Sequence, residues 1–137
     1  MYVLDTNVVS ELRKASRADL NVIAWASQLA TGTLYVSAVT LLELELGILS
    51  VERRDHSQAA MLRVWMQSQV LPAFDGRVLV LDTAVALQCA RLHVPNRRVE
   101  RDALIAATAI VHGMKVVTHN VHDFEGTGAT LINPWLP

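Results

Sequence analysis

Four acids in this chain stand beside apolar runs instead of within charged stretches: Asp5, Glu43, Asp102 and Asp123. If folding gathers them, they form an anionic pocket. Two carboxylates about 5 Å apart repel by roughly 3 kcal/mol at an effective dielectric near 20, and four are worse. Without a cation, at least one would hold a proton. Mg²⁺ or Mn²⁺, hard ions that prefer oxygen ligands, would relieve the repulsion and keep positions open for water and phosphate. Such an ion activates a bound water and stabilises charge on a leaving oxygen. The chemistry in view is hydrolysis of phosphate esters.

Each acid also has a purely structural explanation. Asp5 follows the apolar run Tyr2-Val3-Leu4 and precedes Thr6-Asn7-Val8, so it could simply cap the next helix. Glu43 lies in Thr40-Leu41-Leu42-Glu43-Leu44-Glu45-Leu46-Gly47. Thr40, Glu43 and Gly47 share one helical face, which leaves small, open surface beside Glu43. Glu45 points about 200° away around the helix; spacing alone does not choose between the two glutamates. Asp102 sits in the first turn of a very apolar helix, where the positive end of the helix dipole favours an anion. Asp123 belongs to the polar loop Thr118-His119-Asn120-Val121-His122-Asp123, pinned by Phe124. Thr118 and Asn120 could bond a carboxylate or position a water. The two histidines there match a zinc site poorly in spacing and in number of ligands.

The elements that must position these acids alternate between strand and helix. Strands are expected at Tyr2–Leu4, Leu34–Val36, Val78–Leu81, Val116–Val117 and Leu131–Ile132, with residues 119–128 as loop. Asp19, Ser37, Asp55 and Asp82 are suited to capping helices that start just after them. Gly32, Pro72 and Gly113 read as stops for the second, fourth and last of the longer helices. Met61, Leu62, Trp65 and Met66 recur at helical spacing and read as packing. This alternation argues for an α/β fold with a mainly parallel sheet, whose ligand crevice lies beyond the carboxyl ends of the strands. Asp5 and the loop carrying Asp123 both fall at such ends.

Composition narrows the field. The 137 residues form one domain, 1–137, and 52% hydrophobic content supports an ordinary packed core. Twelve basic against thirteen acidic residues exclude a general polyanion-coating role. Ten of the basic residues are Arg; Arg13, Arg17, Arg53, Arg54, Arg97, Arg98 and Arg101 are candidates for phosphate contacts. The Arg97-Arg98 pair, just before the Asp102 helix, is expected closest to the acids. Cys89 is the single cysteine and sits in an apolar segment, so it reads as a buried bystander. Asp5 interrupts the first apolar stretch and no apolar run reaches the roughly 18 residues of a membrane span. A soluble, cytoplasmic protein that avoids membranes is expected.

Four segments together resemble the motifs of PIN-domain ribonucleases. They are Leu4-Asp5-Thr6-Asn7, Ser37-Ala38-x-Thr40-x-x-Glu43-Leu44-x-x-Gly47, Asp102-x-Leu104-Ile105-Ala106-Ala107-Thr108-Ala109, and Thr118-x-Asn120-x-x-Asp123-Phe124. Within that superfamily the chain is similar to the VapC and FitB toxins of bacterial toxin–antitoxin pairs, and its ending, Asn133-Pro134-Trp135, is FitB-like. The resemblance implies a three-layer α/β/α sandwich around a mainly parallel sheet of about five short strands. It implies metal-ligating and catalytic roles for Asp5, Glu43, Asp102 and Asp123, choosing Glu43 over Glu45. Thr6, Thr118 and Asn120 become supporting or substrate-orienting groups. It further implies Mg²⁺ or Mn²⁺, endonucleolytic cleavage of RNA, and a cognate VapB- or FitA-like antitoxin that carries the complex to operator DNA. A homodimer is expected, with Trp25 and Trp65 as candidates for the pairing surface.

Other chemistries fit less well. A dehalogenase-type phosphotransferase needs a second Asp two residues after the first, where this chain has Asn7, and it needs a lysine ending a later strand. A receiver-type phosphorylation domain fails for similar reasons. A nucleotide-binding module needs a glycine-rich first turn, and Thr6-Asn7-Val8 is not one. The serious alternative is a PIN fold that no longer cuts and serves as a binding or assembly module.

Overall fold

Val3 and Leu4, adjacent in the first strand, enter two different hydrophobic clusters, and so do Val116 and Val117. Successive strand residues face opposite sides of a sheet, so both sides here must be covered. The computed structural model describes residues 1–137 and shows how. Five strands, β1 (Tyr2–Leu4), β2 (Leu34–Ser37), β3 (Val78–Leu79), β4 (Lys115–Val117) and β5 (Leu131–Ile132), form one sheet in the order β3-β2-β1-β4-β5. Every pairing is parallel: Tyr2 aligns with both Leu34 and Lys115, Val36 with Val78, and Val116 with Leu131.

The helices are α1 (Thr6–Leu12), α2 (Leu20–Ser27), α3 (Ala38–Glu52), α4 (His56–Trp65), α5 (Thr83–Leu92), α6 (Glu100–His112) and the single turn α7 (Val121–Phe124). One cluster joins Leu4, Val36 and Val117 to Val8, Leu44, Ile48, Met66 and Val70. The opposite face joins Val3 and Val116 to Ile105, Ala106, Ala109 and Phe124. The result is a three-layer sandwich. No helix is long and apolar enough to cross a membrane.

The caps behave as their side chains suggest. Asp19, Ser37, Asp55 and Asp82 each accept a backbone N–H from the first turn of α2, α3, α4 and α5. Gly113 ends α6 with φ +66°, a conformation that favours glycine.

Four details differ from the sequence reading. β3 stops at Leu79, leaving Val80 and Leu81 exposed, because its partner β2 ends at Ser37 where α3 begins. α2 ends at Ser27, well before Gly32; Gln28 and Leu29 turn tightly to bond the carbonyls of Trp25 and Ala26. Pro72 does not break the fourth helix, which continues through a π turn (Met66–Val70) and a last turn (Leu71–Ala73). Proline has no N–H for the regular ladder, and the wider π turn just before it, closed by the Leu71 N–H on the Met66 carbonyl, is where the helix departs from that ladder. Finally, residues 121–124 are helical within the expected loop, because Phe124 is drawn into the core.

Candidate active site

β1 ends at Leu4 and delivers Asp5 to the carboxyl edge of the sheet. There it is 6% exposed and caps α1 by accepting the Thr6 N–H at 2.8 Å. Its Oδ2 accepts Thr118 Oγ1 at 2.8 Å and Asn7 Nδ2 at 3.2 Å. Burial pushes the Asp5 carboxyl above its ordinary range; the Thr118 and Thr6 bonds oppose the rise, and the Glu43 charge adds to it.

Glu43 projects from α3 across a long sequence separation to meet α1. Its Oε1 accepts the Thr6 hydroxyl at 2.7 Å, and its Oε2 lies 3.7 Å from Arg101. Thr40, fully buried one turn earlier, lies 3.4 Å from the same Thr6 hydroxyl. Glu45 faces away, bracketed by both terminal nitrogens of Arg63, which hold its carboxyl low.

Asp102 opens the helix that fills the other layer. Its carboxyl is pushed up to about 6, first by burial and then by the charges of Asp5, Asp123 and Glu43. That shift ties all four acids to one electrostatic neighbourhood, although they come from β1, α3, α6 and α7. Asp123 is exposed, in the single turn of α7.

Thr118 connects the two halves of this edge. Its hydroxyl donates to Asp5 and accepts the Asn120 N–H at 2.9 Å. Asn120 therefore contributes through its backbone to this contact. Asn7, which the sequence reading gave no role in the site, bonds Asp5 and also accepts the His119 N–H through Oδ1 at 3.1 Å. A short amide two residues after a strand-end acid is the local signal that could have found it.

The arginines are arranged differently from expectation. Arg98 turns to the carbonyls of Leu92 and Glu125, and Arg97 lines a separate pocket. Arg101 is the member of that run that meets an acid. Arg13 lies over the Trp65 ring in a cleft of about 310 Å³ that runs from Thr6 and Glu43 past Gly47. A Cβ on Gly47 would touch nothing, so the face beside Glu43 is open as the spacing suggests. Trp25 and Trp65 are partly buried against the core, leaving Leu42, Leu46, Leu49, Met61 and Val64 as the exposed apolar surface of α3 and α4.

The donor set of the acid cluster suits a hard divalent ion: it is all oxygen, it carries excess negative charge, and one member holds its proton unusually firmly. The acids stand too far apart to form a closed trio within 4.8 Å; the one trio of possible metal-binding side chains at that spacing is Cys89, His93 and Glu100. That trio fits a metal badly. His93 Nδ1 accepts the Arg98 N–H at 3.1 Å, which puts the imidazole proton on Nε2, facing Cys89 at 3.7 Å and Glu100 at 3.5 Å. The lone pair a metal would need is already committed. Burial, with Glu100 nearby, raises the Cys89 thiol and keeps it inert.

A family model for the PIN domain matches residues 2–128. The chain belongs to the PIN-domain family. This PIN domain is 39% identical to VapC ribonuclease Y4jK of Sinorhizobium fredii, over all of this chain and 99% of that protein. It is 31% identical to Toxin FitB of Neisseria gonorrhoeae, covering 98% and 99% of the two chains. A solved structure of FitAB bound to an IR36 DNA fragment superposes with a TM-score of 0.88 at 32% identity, covering 98% of this chain and 96% of that one. The three-layer fold with a parallel sheet is thus that of the PIN domain.

Proposed function

We propose that this PIN domain is a Mg²⁺- or Mn²⁺-dependent endoribonuclease and the toxin of a toxin–antitoxin pair. The observation that carries the reading is the gathering of acids from β1, α3, α6 and α7 at one sheet edge: Thr6 bonds both Asp5 and Glu43, Thr118 bonds Asp5, and the Asp102 carboxyl feels Asp5, Asp123 and Glu43 together. A cluster that frustrated without a cation is suited to work with one. Its relatives, a VapC ribonuclease and the FitB toxin, supply the substrate class and the biological setting.

Asp5, Glu43, Asp102 and Asp123 would hold the ion, which supplies an activated water and stabilises charge on the leaving oxygen. The chain's own groups set the geometry. Thr6 fixes Glu43 through its hydroxyl, while Thr118 and Asn7 fix Asp5, leaving little freedom for either carboxylate. Arg101, beside Glu43, offers a planar cation to a phosphate drawn toward the acids. The partner is an antitoxin of FitA or VapB type, and operator DNA is reached through it, in keeping with the FitAB complex on DNA. A second copy of the chain would pair through the apolar surface of α3 and α4.

The test is cleavage of RNA by purified protein with and without Mn²⁺ or Mg²⁺, repeated with Asp5→Asn. Metal-dependent internal cuts that vanish in the variant support the reading. Intact RNA under every metal condition overturns it in favour of a silent binding module.

A further inference from the structure

Two aromatic rings stand stacked at the rim of the acid cluster. The His119 imidazole and the Trp135 indole have centroids 4.0 Å apart and planes within 11° of parallel. Trp135 is held firmly from below. Its N–H donates to Asn133 Oδ1 at 3.0 Å, its carbonyl accepts Asn21 Nδ2 at 2.7 Å, and its ring packs against the main core. His119 is held at its backbone, where its N–H donates to the same Asn7 side chain that bonds Asp5. The residue before it, Thr118, donates directly to Asp5. The His119 backbone is therefore fixed within two hydrogen bonds of Asp5, and the stack on Trp135 orients its ring. Trp135 covers one face of it, yet the residue as a whole stays exposed.

We propose that the open face of His119, backed by Trp135, is a stacking platform for an unpaired base of the RNA strand next to the phosphate presented to the acids. This rests on the ribonuclease reading and narrows it to single-stranded or looped RNA. Bases in a duplex already stack on their neighbours, whereas unpaired bases stack readily on aromatic side chains, histidine included. The contribution of one such contact is roughly 5- to 150-fold in affinity and tolerates any base. A stacked pair with one ring packed on the core is pre-organised for this, so binding loses little side-chain freedom. The platform follows β4 and Glu43 follows β2, the two strands that flank β1 and Asp5.

The test uses an end-labelled single-stranded oligoribonucleotide and fluorescence anisotropy, with Ca²⁺ replacing Mn²⁺ so that the strand is not cut. His119→Ala should weaken binding by about 5- to 50-fold while melting like the wild type, and His119→Tyr should restore affinity. Replacing each nucleotide in turn by an abasic one should reveal one position whose loss weakens the wild type but not His119→Ala. In Mn²⁺, His119→Ala should raise KM by a larger factor than it lowers kcat. Unchanged affinity in His119→Ala, failure of tyrosine to rescue, or abasic penalties identical in both proteins overturns the platform. Base-dependent binding without any Mn²⁺ or Mg²⁺ cleavage overturns the ribonuclease reading alone and leaves the platform standing; no RNA binding by the wild type overturns both.

Discussion

The acid cluster and the Cys89 pocket each take an acid from α6's first turn, Asp102 and Glu100, and could hardly differ more in how their polar groups are satisfied. The Cys89 pocket is the larger hollow, about 500 Å³, and holds three side chains at metal-binding distances. Its histidine nevertheless has a partner on each nitrogen, and its thiol is quiet. The acid cluster borders a smaller cleft through Glu43 alone and its spacing is looser, but its charges remain in conflict. Unrelieved electrostatic conflict that the surrounding bonds hold in place is a better marker of chemistry than volume or proximity.

The contrast can be broken most directly by paired substitutions. Asp102→Asn should lower RNA cleavage by more than about 100-fold, beyond what loss of a supporting group causes. Cys89→Ser should leave the rate within about twofold, since the thiol has no reactive form near neutrality. Comparable losses in both would erase the distinction between the two regions. Thr118→Val keeps shape but removes the hydroxyl shared by Asp5 and Asn120, and should reduce cleavage about 10- to 100-fold. Full activity in that variant would show that Asp5 needs no such support.

Equilibrium unfolding sharpens the comparison further. Mn²⁺ at 100 times its dissociation constant should stabilise the protein by about 2.7 kcal/mol. Cys89→Ser should retain that gain and Asp102→Asn should lose much of it. The mildest effect concerns pH. Asp102 binds its proton more tightly folded than unfolded, with a folded value of about 6 against a reference of 3.8. Between those values the native state carries more protons than the unfolded one, so this group's stabilisation fades as pH rises from about 4 through 6. Metal-free protein should therefore lose stability over that interval, and Asp102→Asn should flatten the slope. A profile that climbs equally in both proteins would mean Asp102 is not the strained group. Glu11 and Glu45, both held below their ordinary range by bonded partners, act in the opposite sense and only at more acid pH.

Local signals in the sequence proved reliable where a side chain needs only its own neighbours. The caps Asp19, Ser37, Asp55 and Asp82, and the stop at Gly113, are all of that kind. Extent was misread where a distant partner decides it. Val80 and Leu81 look like strand, but a strand continues only as far as its neighbour does. The site followed the same division. Asp5 at a strand end was visible from chain topology, whereas Glu43 could be separated from Glu45 only through family resemblance. The structure adds that Arg63 occupies Glu45 while Thr6 meets Glu43. Asn7 has its local signal in the bond to Asp5 two residues away, but its reach to Thr118 spans 111 residues, and Arg101 meets Glu43 across 58. Nothing in a linear pattern reports pairings across such separations.

The sheet order also governs when, during synthesis, the acid edge can be completed. β1 leaves the ribosome first, yet one of its two neighbours, β4, is synthesised nearly last and brings Thr118 and Asp123 with it. A nascent or truncated chain that stops before β4 carries Asp5, Glu43 and Asp102 on an open central edge, without the hydroxyl that aims the first of them. On the ribonuclease reading proposed above, a chain interrupted before β4 would lack a finished site, and cutting would begin only once that strand is in place.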